Sequence, residues 1–218
     1  VPTPARTSIS EIVEAGRSIL EAGGIDGLTM QRVATAVGVR GPSLYKRVPS
    51  RNQLIRLIGT DAARELAAAL DAAATTGDPR RDLRALAHAF RAFGRANPET
   101  YGLLFGRLPA DARIDPELIL VASRAVLRVA GELAGEARAL EAARTVVAWA
   151  HGFVNMDLAG AFRLGGDVEM AFDYGIEALV RAIGEPEPSE APHEPERGRV
   201  SRASRTRRGS RRSPRGGA

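Results

Sequence analysis

Five side chains that carry positive charge or offer hydrogen bonds fall within eight positions: Arg40, Ser43, Tyr45, Lys46 and Arg47. Gly41 and Pro42 lie among them and keep that end of the segment narrow. Such groups suit contact with phosphates and base edges rather than bond making. Groups for bond-making chemistry are scattered by comparison. There is no cysteine, hence no disulfide framework, thiolate or Cys-type zinc site. Of three histidines, His88 falls on a polar helix face, and His193 lies in a tail without a core. His151 alone is expected to be buried, as a core or pocket-lining group rather than a catalytic one. No Gly-x-Ser-x-Gly elbow, P-loop or histidine metal pair occurs. The "GGIDG" of residues 23–27 reads as a helix stop. The expectation is a binding protein, not an enzyme, with no cofactor and no metal.

Charge follows the same division. Residues 1–60 hold eight Arg/Lys against four Asp/Glu, a net +4, and residues 185–218 hold nine Arg against five Glu, again +4. The intervening body is −3. A basic head and tail around an acidic body point to an anionic polymer at the ends. From Glu185 onward Val200 is the one large aliphatic residue, too little to offset ordering entropy, so a disordered Arg-rich tail is expected. Its arginines would add affinity for nucleic acid without reading sequence. No apolar run approaches the ~18–20 residues of a membrane span, and no signal peptide pattern opens the chain. No membrane partner is expected, and a cytoplasmic location is the default.

The elements that must position these groups are helices throughout. Periodicity near 3.6 residues recurs with caps, and strand patterns are nearly absent. Ser8 with Glu11 and Ser50 with Gln53 read as capping boxes. Asp78–Pro79 and Asp115–Pro116 repeat an N-cap followed by a first-turn proline. The first helix is expected to stop at Gly23–Gly24, and Asn97–Pro98 to break the fifth. A long run from about Ala137 to Leu164 and a last helix from about Val168 to Ile183 complete an all-α protein of about nine helices. Three regions are predicted: a three-helix DNA-binding head over 1–60, a helical body over 61–184 and the tail over 185–218.

Residues 29–49 explain why two helices too short to be stable alone stand in the head. Val33, Ala34 and Val37 face inward, Gly38 supplies a left-handed turn, Val39 plugs the corner, and Leu44 and Val48 face back. That is a helix-turn-helix pattern, whose second helix, about 42–48, needs only its first turns in a major groove. Its N-terminal amide groups favour phosphate.

The stretch "GLTMQRVATAVGVRGPSLYKRVPSRNQLI" resembles the DNA-binding head of the tetracycline-repressor (TetR) family of bacterial transcriptional regulators, over about residues 8–60. The resemblance implies that Thr29 caps onto a phosphate and that Tyr45 reaches the backbone or a base. It also implies phosphate contacts from Lys46 and Arg51. Where the family usually has His-Phe, this chain has Arg47–Val48. Further on, "WAHGFVNMDLAGAF" resembles the Trp-His-Gly segment of one C-terminal subtype, with Ala150 interposed between Trp149 and His151–Gly152. In that family this half binds a small effector and dimerises.

The body supports the same roles independently. "TVVAWAHGFVNMDLAGA", residues 145–161, is apolar nearly all round and must be buried all round. Gly152, Ala159 and Gly160 would admit a neighbouring helix, and Phe172, Ile176 and Leu179 form a second stripe. The two helices would pair with symmetry mates into a four-helix dimer interface. The alternative is a central helix of a monomer. Phe90, Phe93, Tyr101, Phe105, Trp149, Phe153 and Met156 could line an apolar effector cavity, with His151 as polar handle. The reading is a dimeric regulator, most simply a repressor released from a palindromic double-stranded DNA operator by a small apolar effector. Its rival is a non-specific architectural nucleic-acid-binding protein using the basic head and tail.

Overall fold

The computed structural model describes residues 7–185, and the expected Arg-rich tail lies outside them from residue 186 onward. The described residues form nine α-helices: α1 (Ile9–Gly27), α2 (Met30–Ala36), α3 (Gly41–Tyr45), α4 (Arg51–Ala73), α5 (Pro79–Ala96), α6 (Pro98–Phe105), α7 (Pro116–Ala134), α8 (Ala139–Leu158) and α9 (Val168–Ile183). None of them is long and apolar enough to cross a membrane.

The caps stand where the polar residues stand. Ser8 and Glu11 form a reciprocal capping box at α1. Ser50 Oγ accepts from the Gln53 amide at α4. Asp78 and Asp115 cap α5 and α7, each just before a proline that has no amide hydrogen to satisfy. Gly24, at φ +64°, leaves helical geometry where a helix stop is expected, and a further short helical turn to Gly27 follows across that kink. One boundary differs from expectation: the penultimate helix stops at Leu158, short of the expected Leu164. There Gly160, at φ +59°, turns the chain, and the Ala161 amide donates back to the Met156 carbonyl at 2.8 Å. This is a Schellman stop, which needs only a residue tolerant of the left-handed conformation.

Two hydrophobic cores result. The first joins Ile12 and Leu20 of α1, Val33 and Ala34 of α2, Leu44 of α3, Val48, and Leu54 and Ile58 of α4. The second gathers the rest of α4 with α5, α7, α8 and α9 around Leu66, Leu83, Val129, Val154 and Phe172. Helix α4 serves both cores. So does the short α6, which sends Leu103 into the first and Tyr101 into the second.

Candidate nucleic-acid interface and the cavity behind it

The α2–α3 corner closes as its residue types require. Gly38 takes φ +69°, the Gly38 amide donates to the Thr35 carbonyl, and the Val39 amide donates to the Ala34 carbonyl at 2.9 Å. Ala34 is buried at the crossing, where a larger side chain would hold α3 away. With Leu44 of α3 and Val48 just beyond it fully buried, Pro42, Ser43 and Tyr45 of the helix and the flanking Arg40 and Lys46 are left facing solvent. Tyr45 is half exposed, with its hydroxyl able to hydrogen-bond outward. Gly41 and Arg47 are partly covered. Arg40, Lys46 and Arg47 have no acidic partner among the described residues, so their charge is free to meet phosphate.

Thr29 and Arg51 flank this surface in different ways. Thr29 Oγ1 accepts from the Arg32 amide at 3.3 Å, capping α2, and its own hydroxyl hydrogen remains to donate outward. Arg51 turns inward. Its Nε donates to the Leu28 carbonyl at 2.6 Å and its Nη2 to the Ile25 carbonyl. A cation bonded to the last carbonyls of α1 ties α4 to the kinked end of that helix. The family pattern that implies a phosphate contact carries no signal for this internal use.

Behind the head lies an apolar cavity of about 80 Å³. Its wall comes from five helices: Leu66 of α4, Phe90 of α5, Phe105 of α6, Ile119 and Ser123 of α7, and Val146 and Ala150 of α8 among them. No charged side chain lines it. Of the eight aromatic and polar residues expected there, Phe90 and Phe105 line it and six do not. Phe93 and Tyr101 are packed in the core, and Met156 is exposed. Trp149 and Phe153 point to the α9 side, with ring centroids 4.9 and 5.1 Å from Phe172. His151 stacks on Phe105 at 4.4 Å and meets the Tyr101 hydroxyl through Nδ1 at 2.7 Å. Asn155 Nδ2 lies 2.9 Å from Nε2 of the same ring and donates to the His151 carbonyl at 3.0 Å. Burial lowers the imidazole's pKa and raises that of the Tyr101 phenol, so both groups are neutral at pH 7. The residues missed are small and aliphatic, such as Ala63, Ala87 and Ala122. Their types mark any helix contact and carry no signal for a cavity.

The expected interface stripes also divide differently. On α8, Ala148, Gly152, Met156 and Ala159 are exposed in one line, whereas Gly160 is the helix stop. On α9, Phe172 and Ile176 are 0% and 1% exposed and Leu179 is partly covered, all against the chain's own core. Phe172 and Ile176 present no surface to a second chain. The exposed stripe is Ala171, Tyr174 and Ala178, with Tyr174 80% exposed. The larger side chains took the inner face because they fill the space between α9 and α5, where His88 meets the Phe172 ring edge-on. Arg91 fastens the same corner. It is 3% exposed, pairs with Asp157 at 3.0 Å and with Glu169 at 2.6 Å, and lies 4.8 Å above the Phe172 ring.

A helix-turn-helix head with unpaired cations, joined to an all-helical second core, defines a DNA-binding regulator. Residues 12–58 match the family described as bacterial regulatory proteins, tetR family, and residues 83–179 match the tetracyclin repressor-like C-terminal domain. The chain belongs to the TetR family, whose members are transcriptional regulators and not enzymes. It is 31% identical over 166 residues to an uncharacterized HTH-type transcriptional regulator of Mycobacterium tuberculosis, covering 73% of this chain and 74% of that one. Among solved structures, a protein of unknown function from Rhodococcus sp. RHA1 is similar with a TM-score of 0.74 at 23% identity. That similarity covers 84% of this chain and 100% of that chain. A single-residue variant of TetR from Acinetobacter baumannii AYE, in complex with minocycline, has a TM-score of 0.61 at 20% identity, covering 81% and 96%.

Proposed function

We propose that the protein is a dimeric repressor of a palindromic operator, released when a small neutral apolar ligand enters the five-helix cavity. One observation carries the reading: the cavity's wall is apolar, free of charge and shared by α4 and α6, both of which also enter the head core. A charged ligand would be buried there without a counter-charge, which is costly, so the class is a neutral hydrocarbon-like or aromatic molecule. The minocycline complex of the Acinetobacter protein supports ligand binding by this fold in general. Arg40, Ser43, Tyr45, Lys46 and Arg47 would meet the major groove, with Gly41 and Pro42 allowing close approach and Thr29 donating to a phosphate. The exposed stripes of α8 and α9 would pair with a second copy. Two heads then reach successive major grooves only near ~34–36 Å apart, so a small change in spacing releases DNA.

The test is selection of duplexes from a random pool, followed by titration with a panel of neutral apolar compounds. A palindrome held ~10³-fold or more over random DNA is expected. At least one compound should weaken that binding about 5- to 150-fold. Binding without sequence preference would favour the architectural alternative.

A further inference from the structure

The cavity of about 80 Å³ is smaller than the roughly 150 Å³ apolar cavity that accepts benzene. A larger ligand must therefore displace a wall. Four of the five wall helices are 18 to 23 residues long, but α6 has eight, bounded by Asn97–Pro98 and Gly106. It carries Leu104 and Phe105 on the cavity, and Phe105 is 41% exposed at its mouth. Helix α6 is the wall that resists least.

What α6 is fastened to decides where its displacement goes. Its first-turn amides, Glu99 and Thr100, donate to the two carboxylate oxygens of Glu21 on α1, at 3.2 and 2.9 Å. A carboxylate against the positive end of a helix is a favourable charge–dipole contact. The preceding hinge is held from the same helix, since Arg17 donates to Asn97 Oδ1 at 2.9 Å while pairing with Glu65 of α4. Thr100 is fully buried, so the start of α6 is held inside the protein rather than at its surface. Helix α1 in turn packs on α2, and its Ile12 and Leu20 belong to the same core as Leu44 of α3.

We propose that Glu21 is the positioning residue that couples the cavity to the DNA-binding head, by holding the N-terminus of α6 to α1. The proposal rests on the cavity being the effector site. Displacement of α6 pulls α1 through Glu21 and turns the α2–α3 corner with it, rather than passing along α4.

The experiment replaces an unidentified ligand with a side chain. Ala150→Leu fills the cavity from α8, with Ala122→Leu from α7 as a second filler, each made alone and combined with Glu21→Ala or Glu21→Gln. Affinity is read on the duplex recovered from the random pool, with thermal midpoints recorded for every variant. Glu21→Ala alone is expected to bind DNA within ~3-fold of the parent. A filler alone should weaken binding about tenfold, within the span typical of coupled sites. In the Glu21→Ala background the same filler should weaken it by less than ~2-fold, with Glu21→Gln intermediate. Equal weakening with and without Glu21 would overturn the proposal and route coupling through α4, leaving the cavity reading intact. If neither folded filler changes DNA affinity, both the cavity reading and the proposal fall.

Discussion

The indole of Trp149 on α8 lies where any side chain at Gly175 on α9 would stand. The two helices close on each other at that point because one contributes the largest side chain and the other none. Gly175→Ala is expected to overpack the contact and cost ~1–3 kcal/mol in urea unfolding. Trp149 is the chain's only tryptophan, so its emission should shift in the same variant. Unchanged stability and emission together would contradict the close contact.

The exposed stripes predict where dimerisation can be broken without unfolding the subunit. Gly152→Arg, or Ala178→Arg, places a charge in the proposed interface and should give a folded monomer on sedimentation at micromolar concentration. Ile176→Arg is different, because its side chain is 1% exposed within its own subunit. It should unfold the domain, by several kcal/mol, whether or not a partner is present. A folded dimer from both Gly152→Arg and Ala178→Arg would exclude this face.

Lys46 and Arg51 separate DNA contact from head stability. Lys46→Ala should weaken binding to all duplexes and lower the salt slope by about one, with thermal stability unchanged. Arg51→Met removes the hydrogen bonds to Leu28 and Ile25 and should lower stability by ~1–3 kcal/mol, the range for charge-assisted bonds lost at a partly buried site. If Arg51→Met instead changes only the salt slope, its side chain leaves the α1 cap for DNA in the complex.

Stability should fall with acid in two windows. Burial lowers the pKa of His151 below its ordinary 6.5, so the unfolded chain takes up that proton first as pH falls. Its contribution is complete above 6.5 and is lost as pH falls through the folded value. Glu169, held below its ordinary 4.5 by bonds from Arg91 and then Arg95, acts in the same direction lower down. Its contribution is present above 4.5 and lost as pH falls through its lowered value. His151→Gln should remove the first slope alone. Arg91→Met should reduce the second slope by Glu169's share, leaving those of Glu177 and Asp82, and cost ~3 kcal/mol at neutral pH, because Asp157 is left partly buried with only Arg95, at 3.9 Å, beside it. Denaturation midpoints measured from about pH 7.5 to about pH 3.5, a span that brackets both ordinary pKa values, check both assignments.

Local chemistry was enough for the caps, the α2–α3 corner and most helix limits. Ser8, Asp78, Asp115 and Gly38 act on neighbours within a few residues, so their sequence context contains their physics. The solvent-facing side of the α3 segment was legible for the same reason: Leu44 and Val48 must be inside, which leaves Ser43, Tyr45 and Lys46 outside. Arg51 was not, because the carbonyls it caps lie 23 and 26 positions away. Periodicity found the Phe172, Ile176 and Leu179 stripe on α9 but could not say whether it meets a partner or the chain's own core. Only the packed structure decided, since Phe172 and Ile176 fill the space against α5 and Gly175 admits Trp149. The cavity was likewise a tertiary outcome. Aromatic residues drew attention to α8, yet a void forms where side chains from five helices fall short of meeting, and no single segment records that shortfall.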